Sequence, residues 1–243
     1  IHAKFNAFLA ECGEEAYPAG EFFEASPWLN LLHYPKPLAF NRRTPLDPKK
    51  FVYLEGCIRE DKPYEVPHFA AHEDAPLLYV SFGSLGSGDT DLMGRLMATL
   101  GKLPYRVLVN VGDYGDAYES IPDNCHLESW YPQPSVIKQV DAVIHHGGNN
   151  SFNECLYFGK PALIMPYCWD GHDNATHIDE RGYGIAMERY NWEEADIAKA
   201  VERMVTDKEM QARLDELGAH MQAQDGRRKG AQALDNLLKQ TAS

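Results

Sequence analysis

Residues 144–154 read Ile-His-His-Gly-Gly-Asn-Asn-Ser-Phe-Asn-Glu and mark a junction between a strand and a helix. The mostly apolar run 141–144 predicts a buried strand, and residues 151–159 are predicted to form the helix that follows it. Glycine backbone at such a turn can approach a ligand closely, and the positive end of the helix favours an anion. For this stretch alone, a plain glycine-rich turn with an N-cap explains the pattern at least as well.

The composition is that of an ordinary soluble globular protein, with 44% hydrophobic and 24% charged residues in a chain of 243. This length allows one large domain, or a domain with a piece of another. The net charge of -13 argues against a nucleic-acid backbone or an anionic membrane surface as the main partner. A phosphorylated small molecule stays compatible with that charge, because a local pocket decides its binding.

The five cysteines are widely spread and contain no Cys-x-x-Cys pair, which favours buried thiols over a disulfide framework or a zinc site. We therefore predict a reducing, cytoplasmic location. No run of about 18 apolar residues predicts a membrane span, and no signal peptide is visible. The chain begins with Ile1, which suggests a fragment or a processed product.

Three segments are predicted along the chain: 1–76, 77–225 and 226–243. Nine prolines lie in the first segment, which resembles the end of a preceding domain followed by a linker. The second segment alternates strand-like and helix-like patterns. The third is the last helix of a charged, helical tail.

Six strands are predicted within the second segment, and helices separate most of them. Their ranges are 77–82, 106–111, 125–130, 142–145, 162–165 and 184–187. The helices between them are predicted at 90–102, 135–140, 151–159 and 174–181. This alternation predicts an α/β fold with a doubly wound parallel sheet, and ligands bind such sheets beyond the carboxyl ends of the strands.

The loops at that edge carry candidate binding residues. The loop 83–88 offers backbone N–H groups and the Ser84 hydroxyl, although it lacks the Lys of a Walker A loop and the glycine spacing of a dinucleotide-binding loop. Trp130 offers a flat ring on which a base can stack, and Gln133 offers an amide to a base edge. An aromatic core residue before a proline turn is the alternative for Trp130.

The opening stretch supplies donors for a phosphate and an acceptor for hydroxyl groups. His146, Asn150 and Ser151 can donate to phosphate oxygens, and the backbone at Gly148 can do the same. Glu154 lies one helical turn further on, where a carboxylate can accept from the two vicinal hydroxyls of a ribose. A solvated helix glutamate is the alternative. We interpret His145 as structural.

A fourth loop, 167–174, contains Asp170, His172, Asp173 and Asn174. Two carboxylates and one imidazole at this spacing match zinc sites poorly, so we predict no metal site and favour contacts to sugar hydroxyls. Asn174 could equally cap a helix. A nucleophilic triad is not supported, because no Gly-x-Ser-x-Gly elbow exists.

Taken in order, these loops resemble the carboxyl-terminal, donor-binding domain of family-one, nucleotide-sugar-dependent glycosyltransferases, which have the GT-B fold. The resemblance covers about residues 77–192. The matching segments are Tyr79 to Ser84, Trp130-x-Pro-Gln133, His146-Gly-Gly-x-Asn-Ser151 with Glu154, Gly159-x-Pro161, and Pro166 followed by Asp170-x-x-x-Asn174-Ala175.

The resemblance implies roles for individual residues. Trp130 would stack on the base and Gln133 would contact the base or ribose, while Glu154 would bind the ribose hydroxyls. Asp170 would bind hydroxyls of the sugar. The diphosphate would be held by Ser84, His146, Gly148, Asn150 and Ser151.

Enzymes of this kind invert the anomeric centre and need neither metal nor cofactor, so the resemblance implies a UDP- or dTDP-sugar as donor and a small molecule as acceptor. His146 would stabilise the leaving diphosphate. The general base would lie on an amino-terminal acceptor domain, which residues 1–76 are too short to form. We therefore expect the isolated chain to bind donor but to transfer sugar poorly or not at all.

One position departs from the family pattern. Gly171 stands where the family usually has Gln, so the usual preference for glucose is in doubt. His172 could substitute for that amide, or the donor could carry a deoxysugar or another hexose. Two further functions fit the same pattern: a GT-B relative such as a nucleotide-sugar epimerase, and a nucleotide-sugar-binding sensor module.

Overall fold

The computed structural model describes residues 1–19 and 21–241. Gly20 and residues 242–243, which belong to the predicted segments 1–76 and 226–243, lie outside the described residues. The strands of the described chain are β1 (Asn30–Leu32), β2 (Phe51–Tyr53), β3 (Leu77–Ser81), β4 (Arg106–Asn110), β5 (Cys125–Glu128), β6 (Ala142–His145), β7 (Ala162–Ile164) and β8 (Gly184–Ala186).

The helices alternate with the later strands and then form the tail. They are α1 (His2–Glu11), α2 (Gly83–Gly86), α3 (Thr90–Leu100), α4 (Gln133–Ile137), α5 (Asn149–Tyr157), α6 (Asp170–Glu180), α7 (Glu194–Thr206), α8 (Lys208–Gln222) and α9 (Gly226–Thr241). None of the helices in the described ranges is long and apolar enough to cross a membrane.

Strands β3 to β8 form one parallel sheet in the order β5-β4-β3-β6-β7-β8. This confirms the predicted doubly wound α/β architecture. The strand order reverses between β3 and β6, and such a reversal opens a crevice at the carboxyl edge of the sheet. The loops after β3 and β6, which contain Gly83 and His146, therefore flank the crevice.

The sheet is buried because helices cover both of its faces. On one face, apolar side chains of α3 and α7 such as Leu96 and Val201 pack against Val80 and Val109. On the other face, Phe152 of α5 belongs to the cluster formed with α4, α6 and α8. Each such fully buried side chain contributes roughly 1.5–3 kcal/mol by leaving water.

Strands β1 and β2 form a separate, two-stranded parallel sheet. The two strands are about twenty residues apart in the chain, and a strand of three residues is too short to show a periodic pattern. The sequence therefore does not predict β1. Helix α9 packs against β2 and thereby ties the tail to the segment before the main sheet.

Three helices near the crevice begin earlier than predicted. Helix α4 begins at Gln133 rather than at Ser135, α5 at Asn149 rather than at Ser151, and α6 at Asp170 rather than at Asn174. Asn174 therefore lies inside α6 and does not cap it. The residue before α6, Trp169, has φ 46°, a conformation that side chains other than glycine rarely adopt.

Candidate functional site

A cavity of about 780 Å³ opens at the carboxyl edge of the main sheet, next to the reversal of strand order. The loops that line it follow β3, β4, β5, β6 and β7. Among its lining residues are most of those that the sequence singled out: Ser84, Trp130, Gln133, His146, Gly148, Asn150, Ser151 and Asp170. The structure thus brings together side chains that are up to 86 positions apart in the chain, from Ser84 to Asp170 (170 − 84).

One end of the cavity, called the glycine end below, comprises the lining residues Gly83 and His146 and the adjoining glycines Gly147 and Gly171. Gly147 has φ 87°, and a Cβ on it would lie 2.8 Å from the Cα and the carbonyl oxygen of Gly171. A Cβ on Gly171 would lie 2.6 Å from the carbonyl oxygen of His146. The start of α6 therefore packs directly on the backbone of the loop after β6, and only glycine leaves room for that contact.

Hydrogen bonds reinforce this backbone contact. The Asp170 carboxylate accepts from the Asn149 N–H at 3.1 Å, at the first residue of α5. The Asn174 amide donates to the Gly147 carbonyl at 2.8 Å and to Asn149 Oδ1 at 3.0 Å. These bonds fix the first turn of α5, whose residues Asn149, Asn150 and Ser151 line the cavity.

His146 is half-buried at the cavity wall, and its ring lies 3.0 Å from the position that a Cβ on Gly83 would take. Burial lowers the pKa of His146, the positive charge of Arg189 lowers it further, and Asp170 opposes both effects. The ring is therefore neutral near neutral pH and can donate one N–H. Its Nδ1 has no hydrogen-bond partner among the described residues.

His145 lies behind His146 and is completely buried. Its Nδ1 accepts from the Gly147 N–H at 3.0 Å, which helps to shape the turn. Burial, together with the neighbouring His146, lowers the pKa of His145 to about 3. This imidazole is therefore neutral and lies away from the cavity.

The other end of the cavity, called the tryptophan end below, is lined by Trp130, Gln133 and Arg59, with Glu154 buried behind them. Trp130 exposes 58% of its surface and is not a core residue. Gln133 begins α4, and its amide donates to Ser151 Oγ at 3.0 Å and to Glu154 Oε2 at 2.5 Å. The structure thus links α4 and α5 through one amide.

Glu154 is buried behind this amide and does not line the cavity. Its second oxygen, Oε1, accepts from Arg59 Nη1 at 2.7 Å. Burial raises the pKa of Glu154, whereas the hydrogen bond from Gln133 and the charge of Arg59 oppose that rise. Both oxygens of the carboxylate therefore accept hydrogen bonds from neighbouring side chains.

Arg59 is the functional candidate that the sequence did not single out. It lies in the connecting stretch after β2, lines the cavity and pairs with a residue 95 positions later. An isolated arginine in a proline-rich segment carries no motif, so no local signal could have found it. Asn110 and Tyr114, in the loop after β4, also line the cavity without having been predicted.

His172 is the predicted site residue that the structure places elsewhere. It is exposed on α6 and does not line the cavity, because α6 begins at Asp170 and directs residue 172 away. Within the described ranges, no group of three or more His, Cys, Asp or Glu side chains could hold a metal ion.

Comparison with known families decides what kind of domain surrounds this cavity. The model of the family described as "Erythromycin biosynthesis protein CIII-like, C-terminal domain" matches residues 94–237, which is more than half of the chain. The chain belongs to this family. It is a carboxyl-terminal domain of a family-one glycosyltransferase with the GT-B fold.

Individual relatives are also glycosyltransferases. The NDP-glycosyltransferase YjiC of Bacillus subtilis is 24% identical over 99% of this chain and 61% of its own length. The glycosyltransferase of kitacinnamycin has a TM-score of 0.81 at 23% identity, over 98% of this chain and 61% of its own. This chain therefore spans less than two thirds of the relatives that it matches.

One solved neighbour contains a nucleotide. The glycosyltransferase SsfS6 of Streptomyces sp. SF2575, complexed with thymidine diphosphate, has a TM-score of 0.62 at 20% identity. The match covers 92% of this chain and 54% of that one. At this identity the likeness establishes the shared fold.

Proposed function

We propose that this chain is the donor-binding half of an inverting, metal-independent glycosyltransferase. Its cavity would hold a UDP- or dTDP-sugar for transfer to a small-molecule acceptor. The observation that carries the proposal is the meeting, at the reversal of strand order, of a stacking ring, a carboxylate network and a helix start in one cavity. Membership of a glycosyltransferase family supports it.

In this proposal the tryptophan end binds the nucleoside. The exposed Trp130 ring would stack on the base, and such stacking contributes about 1–3 kcal/mol. Glu154 would accept from the ribose hydroxyls. Because Gln133 and Arg59 lie between Glu154 and the cavity, one of these two side chains must move aside when the ribose enters.

The glycine end would bind the diphosphate. His146, Ser84, Asn150 and Ser151 line it together with the start of α5, and these groups offer neutral donors and backbone N–H groups to an anion. Asp170 lies beside them, where its carboxylate would accept from hydroxyls of the sugar.

The chemistry proposed for this half is stabilisation of the leaving group. The acceptor oxygen would attack the anomeric carbon on the face opposite the diphosphate, and the bond from that carbon to the diphosphate oxygen would break. Negative charge then grows on the diphosphate, where fixed donors contribute most. The proposed reaction uses no metal and no cofactor, because these donors take up that charge.

The proton acceptor for the attacking hydroxyl would come from an amino-terminal acceptor domain. Residues 1–76 are too short to form such a domain. The chain alone would therefore bind donor and transfer sugar poorly. Robust transfer by the isolated 243 residues would contradict this part of the proposal. Separately, we propose a cytoplasmic location from the pattern of cysteines.

Calorimetry with UDP, dTDP and GDP tests the site. We expect UDP or dTDP to bind, and we expect Trp130→Ala, His146→Ala and Glu154→Ala each to weaken that binding by about tenfold. His172→Ala is the matched control, because this imidazole is exposed on α6 outside the cavity. Absence of nucleotide binding, or equal binding by the three variants and the control, would refute the assignment.

A further inference from the structure

Arg189 is a buried cation close to the glycine end of the cavity. Only 4% of its surface is exposed. The guanidinium carbon lies 4.7 Å from the ring centroids of both Phe82 and Tyr167, and 5.7 Å from that of Tyr190. Phe82 and Tyr167 line the cavity, so Arg189 lies one layer of side chains behind its wall.

The hydrogen bonds of this guanidinium are all long. Its Nε and Nη2 lie 3.4 and 3.5 Å from Asp89 Oδ2, and its Nη1 lies 3.4 Å from the carbonyl oxygen of Met165. Charge-assisted pairs normally lie at about 2.7–2.9 Å. A buried charge is costly when its hydrogen-bond partners are this distant. The three rings compensate part of the positive charge, and the distant carboxylate leaves the rest unpaired.

The only carboxylate paired with Arg189 among the described residues is itself shared. Asp89 caps α3 by accepting from the Leu92 N–H at 3.3 Å, and it also accepts from the Tyr190 hydroxyl at 2.9 Å. These two donors share the Asp89 carboxylate with Arg189. Asp89 does not line the cavity, whereas the Phe82 and Tyr167 rings beside Arg189 do, so the positive potential that remains acts close to the cavity wall.

We infer that Arg189 is a positioning residue of the donor site, whose charge attracts the diphosphate from behind the wall made by Phe82 and Tyr167. This inference rests on the proposed function. A local positive potential matters in a chain of net charge -13, whose overall field repels anions. The same charge acts on His146, whose pKa it lowers, while Asp170 acts in the opposite direction and His145 stays neutral.

The test separates charge from packing by comparing a nucleoside with its diphosphate. Calorimetry would measure the binding affinities of uridine and UDP, or of thymidine and dTDP if the protein prefers that base. We expect Arg189→Met to weaken binding of the diphosphate by about tenfold and binding of the nucleoside by less than about twofold. Arg189→Lys keeps the charge and should restore most of the loss.

Arg95→Met is the matched control. Arg95 also stacks on an aromatic ring, with its guanidinium carbon 3.6 Å from the Trp192 centroid, and it donates to the Tyr190 carbonyl. It does not line the cavity. The inference would be overturned if Arg189→Met lost affinity equally for nucleoside and diphosphate, or if Arg189→Lys did not restore diphosphate binding. It would also be overturned if Arg95→Met lost affinity for the diphosphate alone.

A second variant keeps the inference testable if Arg189→Met fails to fold. Asp89→Asn removes the opposing charge and preserves the helix cap, because Asn caps helices as well as Asp. We expect UDP or dTDP to bind about two- to threefold more tightly, with no change for the nucleoside. Unchanged diphosphate binding would overturn the inference. Wild-type protein that binds neither diphosphate would instead refute the proposed function.

Discussion

The glycine end of the cavity is held by backbone contacts, whereas the tryptophan end is held by side chains. At the glycine end, the loop after β6 and the start of α6 approach so closely that Gly147 and Gly171 leave no room for a Cβ. At the tryptophan end, Gln133, Glu154 and Arg59 form a chain of hydrogen bonds beside an exposed ring.

This difference indicates how each end responds to a ligand. Backbone donors locked by packing stay in place when an anion binds, so they are available without reorganisation. Side chains can exchange partners, and the ion pair between Arg59 and Glu154 must open or shift for a ribose to reach the carboxylate. Mutations of the packed glycines Gly147 and Gly171 should therefore change folding, whereas mutation of the exposed Trp130 should change binding alone.

Gly147→Ala should give the largest effect. The new Cβ would lie 2.8 Å from backbone atoms of Gly171 and from Ile164 Cγ2, at a φ of 87° that alanine rarely adopts. We expect the free energy of unfolding to fall by about 3 kcal/mol, measured by urea denaturation.

Gly13→Ala separates crowding from backbone strain. Gly13 has a similar φ of 79°, but no atom lies within 4 Å of the position of its Cβ. We expect this variant to lose only about 1 kcal/mol. Equal losses for both variants would show that packing against α6 does not stabilise the glycine end.

Trp130→Ala should weaken binding without destabilising the fold. The ring is 58% exposed, so its loss removes little buried surface. Loss of base stacking should weaken the binding of UDP or dTDP by about tenfold. Thermal unfolding and calorimetry would measure the two effects. Trp28→Ala, at a ring that is 64% exposed outside the cavity, should change neither quantity. A large drop in the melting temperature of Trp130→Ala would remove the contrast between the two ends.

Arg59→Met should give the smallest effect, a shift in the pH dependence of nucleotide binding. Burial already raises the pKa of Glu154, and loss of Arg59 leaves only the bond from Gln133 to oppose that rise, while Asp61 adds to it. The carboxylate should therefore become protonated at a higher pH than in the wild type. Because a protonated carboxyl group accepts fewer hydroxyl bonds, binding should weaken at that higher pH.

The control for this shift is a variant of a second ion pair, which involves Glu60, the residue after Arg59. Arg227 lies 3.3 Å from Glu60, and both side chains are exposed. Calorimetry over the range in which carboxyl groups titrate should show an unchanged profile for Arg227→Met. Superimposable profiles for Arg59→Met and the wild type would show that Arg59 does not set the charge of Glu154.

The six strands of the main sheet and the loops that line the cavity could be predicted from the sequence alone. An apolar run followed by glycines, such as the one that ends at His146, is a local pattern of about a dozen residues, so it predicts a strand end without knowledge of the rest of the chain. Because carboxyl ends of parallel strands share one edge, the loops at Ser84, Trp130, His146 and Asp170 could be placed together.

Contacts between distant segments were decided only by the tertiary structure. The pair of Arg59 and Glu154, the burial of Glu154 behind Gln133 and the exposure of His172 depend on where segments meet, and no periodicity encodes that. Gly171 illustrates the same limit. The sequence shows a glycine where the family that it resembles usually has glutamine. The structure shows that this glycine contacts the backbone of His146 so closely that no side chain fits there. Side-chain partners across long separations are set by topology and packing, which a local pattern cannot specify.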